Sequence, residues 1–176
     1  MDIDLVYLWV DGSDPVWRAK KAAYEQGGEP IASEAVAEAR FVNNDELKYS
    51  LRSVERYAPW IRHIYIVTDG QVPAWLDLTN PRVSIIDQAE IMPAEALPSF
   101  SSPAIEWSLD KIPGLSEYFL YANDDMFMGR PVTPEDFFNS KGYPIVRLRK
   151  RKGNKRSDAT IYMKTLFRAQ ELVRQR

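Results

Sequence analysis

Three aspartate-bearing segments hold the residue types that could do chemistry in this chain. In the clearest of them, Asn123-Asp124-Asp125 follows directly on the apolar run 118–122. Adjacent carboxylates repel, and burying either without a partner is costly. A divalent cation answers both problems, because Mg²⁺ and Mn²⁺ take oxygen ligands and bridge carboxylate to phosphate. Neighbouring residues of an extended chain point to opposite sides, so one carboxylate can meet the metal while the other orients a ligand or accepts a proton. A solvated Asx turn is the plainer reading of the same residues.

The other two segments begin at Asp11, after the apolar run 5–10, and at Asp69, after 64–67. Asp11 suits a ribose hydroxyl, a base N–H or a metal-bound water. Gly12 would let a ligand approach the backbone, or serves only the turn. Asp14 reads as an N-cap and Pro15 as a first helical residue, and a helix start favours an anion. Basic residues lie further on: Arg40, then Lys48 and Arg52 four apart. Arg52 is placed to meet a phosphate, or to pair with Glu46 or Glu55.

These residues need elements to hold them. Continuous apolar runs at 5–10, 64–67, 83–86 and 118–122 predict buried strands. Helices are expected from Asp14 to about Gln26 and from Asn43 to Pro59. The second has Asn43 and Glu46 at capping-box spacing and Leu47, Leu51, Val54 and Ala58 on one face. Residues 104–112 suggest a short helix, 134–138 a Pro-started helical turn, 144–148 a strand and 164–175 a helix; 31–42 have no clear assignment. Strands alternating with helices indicate an α/β sheet covered on both faces, whose ligand crevice lies outside the carboxyl ends of the strands. Trp9, Trp17, Trp60, Trp75 and Trp107 read mainly as core, with Trp17 and Trp107 the two suited to stacking on a ring.

Composition narrows the chemistry. The 176 residues suffice for one domain with a core. There is no cysteine, which excludes disulfides, thiolate metal sites and a cysteine nucleophile. The single histidine, His63, precedes a strand-like run and reads as a structural or surface residue, and no G-x-S-x-G turn is present. The acidic start and short first apolar run do not resemble a signal peptide, and no run reaches the ~20 apolar residues of a membrane span. A cytoplasmic protein is expected. Net charge is −2, yet 147–156 is strongly basic with no acid. That segment would suit an anionic glycan, an anionic membrane surface or nucleic acid, or is simply solvated; it lacks the aromatic residues that base stacking needs.

The strings "IDLVYLWVDGSDPVW", "NNDELKYSLRSVERYAPWIRHIYIVTDGQVPAWL" and "LPSFSSPAIEWSLDKIPGLSEYFLYANDDMFMGRPVTPEDFF" resemble the Stealth family of sugar-phosphate transferases. The resemblance runs from residue 3 to about 138, through what look like the family's first and second conserved regions. It implies a Rossmann-like, GT-A-like sheet that binds a UDP-sugar with Mg²⁺ or Mn²⁺. The implied reaction transfers a hexose-1-phosphate to a glycan hydroxyl with release of UMP, in capsule or exopolysaccharide synthesis. By position, Asp11, Gly12 and Ser13 would line the nucleotide site, and Arg40, Asn44, Glu46, Ser50 and Arg52 the pocket wall. Asp69, Gln71, Glu106, Asn123, Asp124 and Asp125 would line the reacting side. Asp124 and Asp125 would hold the metal, Arg40 or Arg52 would neutralise phosphate, and Asp125 or Glu106 would take the hydroxyl proton.

The chain also departs from the family pattern. Relatives tend to carry Asn and His where this chain has Ser101 and Pro103, and often a His at Gln88. The resemblance does not extend to the family's later conserved regions. Two other readings therefore stand beside the transfer reading: a metal-dependent glycosyltransferase releasing UDP, and a catalytically silent binding module.

Overall fold

The computed structural model describes residues 1–27, 41–146 and 161–174. Arg40, the basic segment 147–156 and most of 31–42 lie outside the described residues. Four parallel strands form one sheet in the order β3-β2-β1-β4: β1 (Ile3–Leu8), β2 (Ile64–Thr68), β3 (Val83–Asp87) and β4 (Tyr118–Asn123). Among the described residues the α-helices are α1 (Pro15–Gly27), α2 (Glu46–Tyr57), α3 (Gln88–Ile91), α4 (Ser102–Glu106) and α5 (Ile161–Arg174).

Strand alternation divides the core into two layers. Ile3, Leu5, Tyr7 and Trp9 face Leu47, Val54 and Ala58, with Phe138 closing the end of that layer. On the other face Val6, Tyr65, Val67 and Ile86 meet Ile91, Met92, Leu109 and Ile112. Both faces are therefore covered, which is what parallel strands with near-continuous apolar sequence require. His63 is structural: Nε2 lies 2.9 Å from the Ser84 hydroxyl and the ring packs on Tyr65.

Register places the chemistry. Leu8 pairs with Val67 and with Asn123, and Val67 pairs with Ile86. That row lies at or one residue before the carboxyl end of every strand, so the segments that follow Leu8, Thr68, Asp87 and Asn123 share an edge.

Several expected boundaries move. The first strand begins at Ile3 and ends at Leu8 rather than spanning 5–10. Asp4 made its start look polar, but Asp4 is fully buried and satisfied by a two-point pair with Arg62 (2.9 and 2.6 Å) and by the Ser116 N–H (2.7 Å). α2 begins at Glu46, and the Asn43/Glu46 capping box does not form. Instead the Glu46 carboxylate takes the Asn44 backbone and amide N–H groups, Asn43 takes the Asp45 N–H, and Asp45 stands at the N-cap position in a left-handed conformation with φ 63° and without a side-chain cap bond.

The single helix expected at 104–112 is split. α4 stops at Glu106, and a 3₁₀ turn follows at Leu109–Lys111, so that Leu109 and Ile112, three apart, both reach the sheet. Trp107 falls in the break and is 88% exposed, not core. Residues 134–138 begin with a 3₁₀ turn at Pro134. Of the strand expected at 144–148, the described part makes only an isolated antiparallel bridge, Phe138 to Pro144, because Pro144 has no N–H to extend a ladder.

Candidate active site at the carboxyl edge of the sheet

β1 has β2 on one side and β4 on the other, so the chain reverses its direction of travel across the sheet between β1 and β4. In open α/β sheets ligands bind at that switch point, outside the carboxyl ends of the strands. A cleft of about 310 Å³ lies there. Its lining includes the polar residues Asp69, Asn123, Asp124 and Asp125 and the aromatic rings of Trp17, Phe41 and Phe100.

The acidic turn is held from below. The Tyr7 hydroxyl, buried in β1, lies 2.7 Å from the Ser50 hydroxyl of α2, and Ser50 in turn donates to the Met126 carbonyl in the turn that carries both aspartates. One turn further along α2, Ser53 accepts the Met128 N–H at 2.9 Å. Two helix serines thus fasten the segment that follows β4. Asp124 is the most perturbed carboxyl of this lining. Burial pushes its pKa up, and the nearby Asp125 and Glu46 carboxylates push it further in the same direction. Tyr121 lines the cleft and its hydroxyl reaches Asn123 Oδ1 (2.8 Å) and Glu106 Oε1 (3.1 Å). Burial and the Glu106 charge raise its pKa strongly, so it remains a protonated donor at neutral pH.

Asp69 sits across the cleft floor. Its Oδ1 accepts Lys20 Nζ (2.7 Å) and Gln88 Nε2 (2.9 Å), while Oδ2 is buried with no donor among the described residues. A buried carboxylate oxygen without a partner is expensive, and a ligand hydroxyl or N–H would satisfy it.

The turn after β1 is a scaffold beside the cleft. The Asp11 carboxylate takes the Ser13 N–H (2.8 Å) and hydroxyl (2.7 Å). Buried Gln71 clasps the Asp11 backbone on both sides, accepting its N–H (2.9 Å) and donating to its carbonyl (3.0 Å), and also donates to Asp14 (3.0 Å). Asp14 caps α1 through the Val16 and Trp17 N–H groups, so the anion expected at that helix start is the protein's own carboxylate. Gly12 is required by the chain rather than by a ligand: its N–H bonds the Phe41 carbonyl at 3.0 Å, and a Cβ there would meet that oxygen at 2.2 Å. Gly12 and Ser13 line an adjoining groove that shares Trp17 and Phe41 with the cleft.

The cleft therefore gathers Asp69, Asn123, Asp124 and Asp125, with Glu46 near Asp124 and Glu106 reaching its rim through Tyr121. Ser50 lies under the turn, fully buried. Asn44 holds Glu46. Arg52 is exposed, stacked over Tyr49 at 5.5 Å, and does not line the cleft. Sequence reasoning missed Lys20, Gln88, Tyr121, Phe41 and Phe100. Tyr121, Phe100 and Gln88 stand in or beside the segments already singled out, but nothing local gave them a role; each of the five reaches the site from a different part of the fold.

Asp124 and Asp125 fit a divalent cation of the kind that rests on one or two carboxylates and completes its shell with water and phosphate. Among the described residues no three His, Asp or Glu side chains cluster closely enough to hold an ion alone. The donor set is thus one that a bound phosphate would have to complete.

Fold and site together define a Rossmann-like α/β protein with an acidic and aromatic ligand edge. The chain belongs to the Stealth family: residues 40–146 match Stealth protein CR2, conserved region 2, and residues 1–29 match Stealth protein CR1, conserved region 1. It is 56% identical over 142 residues to an exopolysaccharide phosphotransferase of Streptomyces coelicolor, covering 80% of this chain and 24% of that one. It is 52% identical over 143 residues to an exopolysaccharide phosphotransferase of Lactiplantibacillus plantarum (81% and 41%). A capsular polysaccharide phosphotransferase of Actinobacillus pleuropneumoniae is 42% identical over 175 residues (98% and 47%). The chain thus spans between a quarter and a half of the length of these relatives.

Proposed function

We propose that this chain carries the donor-binding part of a polysaccharide phosphotransferase, which moves a hexose-1-phosphate from a UDP-sugar to a glycan hydroxyl. The observation that carries this reading is the meeting of Asp69, Asp124 and Asp125 with Trp17, Phe41 and Phe100 in one cleft at the switch point of the sheet. Trp17, Phe41 and Phe100 offer apolar surface to the uridine base. Asp69 Oδ2 offers an acceptor to a ribose or base donor. The diphosphate then lies toward Asp124 and Asp125, which would hold Mg²⁺ or Mn²⁺ to neutralise its charge.

In the reaction the acceptor oxygen forms a bond to the β-phosphorus. The bond from that phosphorus to the bridging oxygen breaks, and UMP leaves. Asp125, exposed at the rim, or Glu106 accepts the hydroxyl proton. Asp124 would hold the cation, which would supply positive charge to the phosphate oxygens, and Tyr121 offers a hydrogen-bond donor beside it. In-line alignment and charge neutralisation are the main demands of such a transfer.

The test is incubation with UDP-N-acetylglucosamine, Mg²⁺ or Mn²⁺ and candidate glycans, with UMP and UDP resolved. UMP with a phosphodiester product is expected. UDP with a glycoside would replace this reading by the glycosyltransferase one, and failure to bind the nucleotide sugar would end both. No helix among the described residues is long and apolar enough to cross a membrane. The basic segment 147–156 is the proposed contact with an anionic membrane surface, tested by salt-sensitive retention on anionic vesicles.

A further inference from the structure

Beyond Tyr121 the rim of the cleft passes into a second groove of about 560 Å³, lined by Pro103, Glu106, Trp107, Leu109, Asp110 and Phe119. Phe119 and Tyr121 stand on the same face of β4, about 7 Å apart along the strand. Glu106 belongs to this groove and also receives the Tyr121 hydroxyl from the cleft side, so the two hollows meet at that hydrogen bond. Trp107 is 88% exposed, and none of the ring contacts among the described residues involves its indole. An indole held in solvent between two carboxylates is an unusual use of the largest apolar side chain.

We infer that this groove is a subsite for a neutral glycan, with Trp107 as the platform for a hexose ring and Glu106 and Asp110 as acceptors for its hydroxyls. Charge selects the occupant. The lining has two carboxylates and no cation, which disfavours a phosphorylated polymer, a nucleic acid or an acidic lipid surface. An apolar peptide would bury two carboxylate charges against apolar surface. A hexose ring has an apolar face for the indole and a margin of O–H donors for the carboxylates. Continuity then gives direction: a glycan seated on Trp107 extends past Glu106 and Tyr121 toward Asp124. On the transfer reading above, the groove presents the acceptor. Binding itself does not depend on that reading.

The experiment titrates the full chain, without donor, with neutral glucose- and N-acetylglucosamine-based oligosaccharides of four to eight units and with phosphorylated versions, following tryptophan fluorescence and calorimetric heat. The neutral series is expected to bind more tightly than the phosphorylated one. Trp107→Ala should raise the dissociation constant about tenfold or more, and Trp107→Phe less, with UDP-sugar binding unchanged in both. Glycan binding lost with Trp107→Ala in a chain that releases no UMP would keep the subsite and remove the transfer reading. Equal affinity in Trp107→Ala, preference for phosphorylated glycans, no binding at millimolar concentration, or Trp107-dependent self-association in its place would each overturn the inference.

Discussion

The hydroxyls of Tyr7 and Ser50 lie 2.7 Å apart in the core, beneath the turn that carries Asp124 and Asp125. They come from β1 and α2, 43 residues apart in sequence, and Ser50 passes the contact on to the Met126 carbonyl. A buried hydroxyl pair thereby supports the turn that holds the two cleft carboxylates.

Ser50→Ala should expose what that contact does. It leaves the Tyr7 hydroxyl without its acceptor and the Met126 carbonyl without its donor, a loss of about 1–3 kcal/mol in stability. Affinity for Mn²⁺ should fall about tenfold, as is typical when a supporting partner of a ligand is removed. Chemical denaturation and Mn²⁺ titration by electron paramagnetic resonance measure the two. Unaltered Mn²⁺ affinity beside lowered stability would show that the serine serves only the fold.

Asp124→Asn should separate activity from stability. Its carboxyl is pushed up by burial first, then by Asp125 and Glu46, so the folded state holds the proton more tightly than the unfolded chain does. The ionised group therefore works against folding without a cation, and its contribution to stability falls as pH rises through its folded pKa. The variant should lose transfer by about 10²–10⁴-fold and melt at a higher temperature than the parent at neutral pH without metal. Thermal melts with and without Mn²⁺ check this: the parent should gain from the ion and the variant should not.

Gly12→Ala tests the aromatic lining. The added methyl would drive against the Phe41 carbonyl at 2.2 Å and must displace the segment holding that ring. A loss of about 1–3 kcal/mol is expected, together with weaker UDP-sugar binding. Gly129→Ala, where a Cβ meets nothing within 4 Å, is the control and should bind normally.

Acid should unfold the chain partly through Asp4. Burial alone would raise its pKa, but the hydrogen bonds and charge of Arg62 and the Ser116 N–H outweigh burial and hold it below its ordinary value. A depressed folded pKa contributes stability above the unfolded value near 3.9 and loses it as pH falls through the folded one. Asp4→Asn should therefore melt lower than the parent at pH 7, with a difference that shrinks toward pH 3. A constant difference across that range would mean that ionisation of Asp4 contributes nothing.

Much of the architecture was legible in the residues. The apolar runs, the Asp14-Pro15 helix start and the α2 stripe of Leu47, Val54 and Ala58 are local signals, and each became the expected kind of element. Strand content and spacing sufficed for a covered α/β sheet because the period of burial is written along the chain. So was the candidacy of Asp69, Asp124 and Asp125, since an acid straight after a buried strand can sit only at the sheet edge.

Tertiary structure decided what those acids have for neighbours. Pairing register, not local sequence, set Leu8, Val67 and Asn123 in one row and so brought their turns together. Long-range hydrogen bonding gave Asp11, Gln71 and Ser50 supporting contacts that no local pattern shows, because a buried polar group must find its partner wherever the fold supplies one. The break after α4 left Trp107 in solvent, since Leu109 and Ile112 were the residues that reached the sheet. Sequence alone determined which groups could do the chemistry; packing and register chose which of them share a cleft, because those contacts join segments that no local pattern connects.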